Sequence, residues 1–394
     1  MPRHCAESFR NSLPITNELL TVCGCGANVA RMKPRRLASL GTFLLLIGLF
    51  APTERAADTV PAQIADSEFW KMIGDFSERD GDFSVMSIIT SNEVGYQTVI
   101  PDLKKTVKPG GVYIGVGPEQ NFTYMSAMRS KMGFVIDIRR DNMIEHLMYK
   151  ALFEISRDRV DFISRLFARR PAGSIVTTNA RSIMAAFANS KVDTVLYRDT
   201  LRAIEAQLQT THNFPISSSD IKRIEYLYNT FSMQGVLSFS SNLSFKSPGY
   251  TYLMTTDDRS GTNWSFLASE TNFQFIQELQ RKNLIIPLVG DFAGPKAIRA
   301  VGQYLKDHGS TAALFYLSNV EYYISPPRAA QRTWEAYCRN IAFLPADAGS
   351  MVIRFDPYNF TRHPEQTIAS LPDFIRVIQA NNIPDYVRTL NMAR

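Results

Sequence analysis

Apolar runs of five to seven residues alternate with amphipathic segments over most of the chain. The runs are rich in β-branched and aromatic residues and are bounded by glycine, proline or polar positions, which is typical of buried strands. The segments between them carry apolar residues at helical spacing. The pattern therefore predicts an α/β protein with a mostly parallel sheet and helices on both faces. The predicted strands are residues 112–116, 134–138, 284–290, 311–317 and 350–355.

The same periodicity divides the body of the chain into two sheet-forming parts, residues 67–170 and 284–394, separated by a largely helical insertion at 171–283. Two interpretations of the insertion stay open. It is either a lid or substrate-recognition element over the strand ends, or an insertion without ligand contact. Residues 238–263, rich in Ser, Thr, Asn and Tyr, are expected to form a loop or short strands. The helices expected from spacing and caps are residues 92–107, 122–131, 141–167, 193–211, 218–233, 294–308 and 333–340.

The N-terminal region has the order of a targeting segment. Basic residues at 33–36 precede an apolar stretch at 37–50 and then a polar stretch that ends in small residues. This order predicts a signal peptide or a short anchor at residues 32–57, with translation starting at Met32 and residues 1–31 as a wrongly assigned leader. The rest of the chain is then exported, to the periplasm after signal cleavage; it stays in the cytoplasm if the segment is not a functional signal.

Composition narrows the function classes. The chain has 394 residues, 45% of them hydrophobic and 20% charged, as in an ordinary globular protein. The net charge of +6 is not gathered into a basic run interleaved with aromatics, so we expect no nucleic-acid binding, and membrane contact only through the N-terminal segment. Three of the four cysteines precede residue 32, which leaves Cys338. Without paired cysteines or histidines at ligand spacing, we expect no metal site.

A glycine loop follows the first predicted strand. Gly115 and Gly117 allow a tight turn and a close backbone approach to a ligand, and the N-terminus of the next helix offers unpaired N–H groups. Asp137 follows Gly117 by 20 residues, at the end of the second strand, where a carboxylate can accept both ribose hydroxyls. This spacing favours an adenosine-type ligand. A tight turn without a ligand is the other reading of the loop.

Polar residues follow the later strands as well. Asp291 and Phe292 come after the third strand, and Asn319 and Glu321 come after the fourth. Ligands of open α/β sheets bind at the carboxyl ends of the strands, so these side chains are expected at one edge. On the helix after the second strand, His146 shares a face with nearby polar residues, and it is either functional or a packed, hydrogen-bonded histidine.

The strings GVGPEQNFTY at 115–124, DIRR at 137–140 and HLMYKALFE at 146–154 resemble those of a poorly characterised bacterial family with a methyltransferase-like fold. The order of loop, acid and strand-end residues is similar to class I S-adenosylmethionine (SAM) methyltransferases. The resemblance implies a Rossmann-like fold and SAM as the cofactor, with an acceptor that it does not identify. Cofactor contacts would come from Gly115, Gly117, Glu119, Gln120, Asn121, Asp137, Ile138, Asp291 and Phe292, and the acceptor side from Asn319, Glu321 and Tyr124.

Two departures from the methyltransferase pattern divide the functional hypotheses. Tyr113 stands where the usual acid holds the methionine amino group, and Glu119 replaces the third glycine. Glu119 would either take over the amino-group contact or repel the methionine carboxylate. The first hypothesis is a SAM-dependent methyltransferase, and the second is an exported, non-catalytic binding or interaction protein with the same fold. A nicotinamide-dependent dehydrogenase is weaker, because the loop lacks the G-x-G-x-x-G continuation.

Overall fold

The strands of the sheet lie where the apolar runs predict them. The computed structural model describes residues 58–81, 89–173, 175, 179–233, 249–355 and 366–380. Five strands coincide with the predicted runs, and a sixth lacks an apolar run and could not be found from sequence. The strands are β1 (Val112–Gly115), β2 (Met132–Asp137), β3 (Ile285–Val289), β4 (Ala312–Tyr316), β5 (Met351–Phe355) and β6 (Gln366–Ser370).

The six strands form one sheet in the order β3-β2-β1-β4-β5-β6. β1 to β5 are parallel, and β6 pairs antiparallel with β5 at the edge. The chain thus runs outward from β1 to β3 and then returns to the other side of β1. β1 and β2 are buried along their whole lengths, as expected for central parallel strands covered on both faces.

Helices connect the strands and fill the long segment between β2 and β3. Residues 207–211 form a π-helical turn that extends the preceding helix. The α-helices of the described residues are α1 (Asp66–Phe76), α2 (Ile100–Thr106), α3 (Gln120–Met128), α4 (Arg140–Ile155), α5 (Arg159–Leu166), α6 (Ala180–Phe187), α7 (Thr194–Ala206), α8 (Ser218–Met233), α9 (Tyr250–Thr255), α10 (Glu270–Arg281), α11 (Ala297–Asp307), α12 (Val320–Ile324), α13 (Gln331–Ile341) and α14 (Leu371–Gln379).

Helices cover both faces of the sheet. Adjacent residues of a strand point to opposite faces. Gly133 of β2 faces α3, because a Cβ there would lie 2.4 Å from Met125 Sδ. Its neighbour Phe134 packs against Phe76 of α1 and Tyr304 of α11, with ring centroids 6.4 and 5.7 Å away. The absence of a side chain at 133 therefore lets α3 approach one face while α1 and α11 cover the other.

Three predicted elements have different boundaries. The helix expected at 92–107 begins only at Ile100, because Pro101 suits a first turn and residues 94–99 form turns. The helix expected at 141–167 is two helices, and Asp158 caps the second by accepting a hydrogen bond from Asp161 N at 2.8 Å. The loop expected at 238–263 contains α9, so that prediction is wrong for residues 250–255.

The predicted leader, signal peptide and anchor at 1–57 lie outside the described residues. Among the residues that are described, no helix has both the length and the apolar character needed to cross a membrane.

A buried polar cluster joins α1 and α4 to the segment after the π-helical turn. His212 bonds to Asp66 through Nδ1 at 2.9 Å and to Glu154 through Nε2 at 2.7 Å, and Lys150 donates to the other oxygen of Glu154 at 2.7 Å. Burial alone would lower the pKa of His212, but the hydrogen bond and charge of Glu154 and the bond to Asp66 raise it above 6.5, against a smaller opposing effect of Lys150. The cluster thus favours the charged imidazole.

This raised pKa predicts a pH-dependent contribution of His212 to stability. The contribution is complete below the unfolded-state pKa of about 6.5 and is lost as the pH rises through the higher folded-state pKa. We expect His212→Gln, which is uncharged at every pH, to reduce the free energy of unfolding by about 1.5 kcal/mol more at pH 6 than at pH 9. Urea denaturation at both pH values measures this, and an equal loss at both would contradict it.

Candidate functional site

A cleft opens at the carboxyl ends of β1, β2, β3 and β4. Its cavity volume is about 120 Å³, and the cleft is partly open to solvent. The cleft lies where the strand order reverses: β2 follows β1 on one side of it, and β4, which comes after β3 in the chain, lies on the other side. Its walls are Ser91, Asn92, Val116, Gly117, Pro118, Gln120, Asp137, Ile138, Arg139, Gly290, Asp291, Phe292, Ser318, Asn319, Val320, Tyr323 and Ile324.

The glycine loop after β1 is held from inside by one side chain. Asn121 Nδ2 donates to the carbonyls of Val116, Gly117 and Pro118 at 3.0, 2.9 and 2.7 Å. Its Oδ1 accepts a hydrogen bond from the Tyr113 hydroxyl at 2.7 Å. A Cβ at Gly115 would lie 2.1 Å from this same Oδ1, so only glycine fits there. Asn121 and Gly115 therefore shape the loop from behind and do not line the cleft, contrary to a direct cofactor contact.

Two further side chains support the loop. His146 Nε2 lies 2.9 Å from the Gly117 carbonyl. Burial lowers the pKa of His146 to about 4, so the ring is neutral, and Nε2 carries the hydrogen because a carbonyl only accepts. Gln120 donates from Nε2 to the Val116 carbonyl at 3.1 Å and lines the cleft. Its Oε1 is buried without a partner among the described residues, which leaves an acceptor at the cleft wall.

The acid at the end of β2 is paired with an arginine. Arg139 donates from its backbone N and from Nε to Asp137 Oδ1, at 2.9 and 3.0 Å, and from Nη2 to Oδ2 at 3.0 Å. Both side chains line the cleft and are mostly buried. An ionised carboxylate has about four lone-pair directions, and Arg139 uses three of them, so Asp137 can still accept one hydroxyl donor, through Oδ2. The sequence predicted the acid but not its cation.

The end of β3 brings an acid and an aromatic ring to the opposite wall. Asp291 accepts a hydrogen bond from Ala293 N at 2.9 Å, and burial, with the nearby charge of Glu78, raises the pKa of Asp291. The Phe292 ring lies 5.6 Å from that of Phe315. Both residues were predicted at this edge, and both line the cleft.

Glu78 stabilises this wall, although it was not among the site residues predicted from the sequence. Its carboxylate accepts hydrogen bonds from Lys296 N, Ala297 N and Asp291 N at 2.8, 2.9 and 3.2 Å, and so caps the start of α11. These partners lie more than 200 residues further along the chain, so no local spacing could have indicated the contact.

The end of β4 meets the segment that precedes α2. Ser318, with a φ of 48°, and Asn319 line the cleft beside Asn92. The Ser318 hydroxyl donates to Glu93, which also accepts from Gln366 of β6. Burial raises the pKa of Glu93. Asn92 therefore lines the cleft, whereas Glu93 is buried behind the end of β4.

Three predicted site residues lie elsewhere. Tyr124 is fully buried and donates to the Tyr96 carbonyl at 2.8 Å. Glu321 is fully buried and accepts from Arg354 Nε and Nη2 at 2.7 and 3.0 Å. Glu119 is fully buried behind the loop. None of the three is in the cleft wall, because their carboxylates or hydroxyl bond to groups inside the core, so the expected contacts with cofactor or acceptor do not match their positions.

These features define a mixed α/β protein with a largely apolar cleft, edged by a few polar side chains, at the carboxyl edge of a mostly parallel sheet. The chain belongs to the family described as a domain of unknown function (DUF7790), whose model matches residues 88–372. The match includes all six strands and every residue of the cleft wall. No curated protein matches the chain.

The buried pair predicts that Glu321 acts on stability. Glu321→Gln removes the carboxylate that faces Arg354 in a fully buried site, which we expect to cost about 3 kcal/mol in the free energy of unfolding. Asp373→Asn, in the exposed pair with Arg376, is the matched control and should cost less than about 1 kcal/mol. Urea denaturation measures both, and equal losses would show that burial of the pair is not the cause.

Proposed function

We propose that the sheet is Rossmann-like, of the methyltransferase type, and that the cleft binds an adenosine-type cofactor, with SAM as the first candidate. The observation that carries the proposal is the position of the cleft, at the strand ends where the order reverses between β1 and β4. Open α/β sheets bind ligands at this switch point. The resemblance of the 115–124 and 137–140 strings to a methyltransferase-like family supports the same reading.

The cleft wall offers the groups that an adenosine needs. The Asp137 carboxylate would accept a ribose hydroxyl with the lone pair that Arg139 leaves open. Asp291 and Phe292 would contact the adenine, with Ile138 on the same side. Gly117 and Gln120 would contact the part of the ligand beyond the ribose, where Gln120 Oε1 offers its open acceptor.

The methionine half of SAM is less well matched. Glu119 is bonded to Ser91 N behind the loop and so makes neither the favourable nor the repulsive contact expected of it. Of the three acceptor-side candidates, Asn319 lines the cleft, and Tyr124 and Glu321 do not. This favours a second proposal, an exported, non-catalytic binding protein that uses the same cleft.

Ligand titration tests the cofactor proposal. Full-length protein is titrated with SAM, S-adenosylhomocysteine, adenosine and NAD while thermal unfolding is followed. A ligand at 100 times its dissociation constant should add about 2.7 kcal/mol of stability. Asp137→Ala should weaken binding more than Asp291→Ala, because it removes the hydrogen bond to the ribose and also leaves Arg139 without its carboxylate partner. Asp373→Ala, on the exposed face of α14, is the control and should bind like the unmodified chain.

The outcomes separate the two proposals. If no adenosine compound raises the thermal unfolding temperature, both the cofactor assignment and the cleft assignment are overturned. A rise in thermal stability with SAM, without methyl transfer to any tested acceptor, would favour the proposal of a binding protein.

Export through residues 32–57 stays a prediction with its own measurement. N-terminal sequencing of the mature protein should find a start between Asp58 and Ser67. A mature chain that begins at or before Met32 would contradict cleavage.

A further inference from the structure

One face of α4 is polar although the whole face is buried. Asn142, Glu145, His146 and Tyr149 stand at positions i, i+3, i+4 and i+7, so their side chains form one stripe. Each is at most 1% exposed. Polar groups in such a position cost free energy unless they find hydrogen-bond partners.

Several atoms of this stripe have no partner among the described residues. Among them are both amide atoms of Asn142, Oε1 of Glu145 and Nδ1 of His146. The ring orientation of His146 is fixed from the other side, because Nε2 donates to the Gly117 carbonyl. Nδ1 therefore presents a lone pair to the stripe. Three neighbouring side chains with open hydrogen-bonding capacity on one buried face indicate a ligand.

The stripe faces further polar groups from other elements. Glu119, just before α3, and Tyr250 of α9 both interact electrostatically with Glu145 and with Tyr149. We call Glu119, Tyr250 and the four stripe residues the α4 polar cluster. It lies directly behind the cleft, since Gly117 lines the cleft on one side and bonds to His146 on the other.

The open atoms of the cluster are mostly acceptors. Glu145 Oε1, His146 Nδ1 and Asn142 Oδ1 can accept and Asn142 Nδ2 can donate, while the open hydroxyls of Tyr149 and Tyr250 can do either. Arg139 acts on Glu145 through its charge, but its guanidinium is bonded to Asp137. The matching ligand is thus rich in donors and positively charged. We propose that the α4 polar cluster binds a small cationic group, a primary ammonium or a guanidinium.

Proton linkage supports this ligand class. Burial raises the pKa of Glu145 well above its usual range and that of Glu119 to about 7. Besides Glu119, the charged groups acting on Glu145 are Asp137, Arg139 and Asp141, and Tyr149 and Tyr250 lie nearby. A bound cation favours the ionised carboxylates, so binding should release protons near neutral pH and tighten as the pH rises.

The test uses ethylammonium as the probe, without any adenosine compound. Full-length protein is titrated calorimetrically with ethylammonium chloride at pH 6 and pH 8, and with sodium chloride, ethanol and sodium acetate at equal concentrations. We expect saturable binding of ethylammonium alone, tighter at pH 8, with proton release detected from the buffer dependence of the heat. Glu145→Gln should weaken binding at least tenfold, and Asn142→Ala should weaken it severalfold.

The variants are chosen to fold. Glu145→Gln keeps the shape and mimics the protonated acid, and Glu335→Gln, on the outer face of α13, is the matched control that should bind normally. If Glu145→Gln does not fold, Glu119→Gln removes a carboxylate from the same cluster and should also weaken binding. Binding no stronger than that of ethanol, or unchanged in the folded variant, would overturn the proposal and leave internal water as the occupant. Such a failure would not affect the adenosine proposal, because the cleft is tested separately.

Discussion

The hydrogen bonds that hold the loop after β1 are the constraint on which the site depends. Three successive carbonyls, at residues 116–118, accept from the Asn121 amide, and the Gly117 carbonyl also accepts from His146. Carbonyls fixed inward in this way cannot also face the cleft. The backbone is therefore held in one shape before any ligand arrives, which lowers the entropy cost of binding.

The loop also separates two polar environments. On its outer side, the cleft combines a paired acid, an open amide acceptor and an aromatic wall. On its inner side, the α4 polar cluster combines two carboxyl groups with open acceptors on one helix face. His146 connects the loop to the cluster: its Nε2 donates to the Gly117 carbonyl, and its open Nδ1 belongs to the cluster. A ligand on either side would act on the same short segment of backbone.

Much of the sheet could be predicted from sequence, because five of its strands are largely buried and carry mostly apolar runs. β6 was not predicted, because it is a half-exposed edge strand without an apolar run. The break between α4 and α5 was missed, since apolar spacing continues across it and the cap at Asp158 is a local polar signal of low specificity. Gly117 and the strand-end acids Asp137 and Asp291 lie at the predicted edge because parallel strands bring their carboxyl ends together. Gly115, Glu119 and Asn121, from the same predicted loop, lie behind it instead.

Side-chain direction could not be predicted in the same way. Tyr124 and Glu321 are close in sequence to the cleft but turn into the core, where Glu321 meets a cation from β5. Arg139 pairs with Asp137, and Glu78 caps the start of α11; neither contact could be predicted from the sequence. In the sequence, the buried polar residues of α4 look like the polar positions of an ordinary amphipathic helix. The structure shows that they are buried and that several of their atoms lack hydrogen-bond partners among the described residues.

A crystal structure of the full-length protein with S-adenosylhomocysteine tests the central claim most directly. The account predicts ligand density between the 116–118 loop and residues 290–292, with the ribose hydroxyls against Asp137 and the adenine beside Phe292. Density at another place, or an empty cleft at saturating ligand, would contradict it.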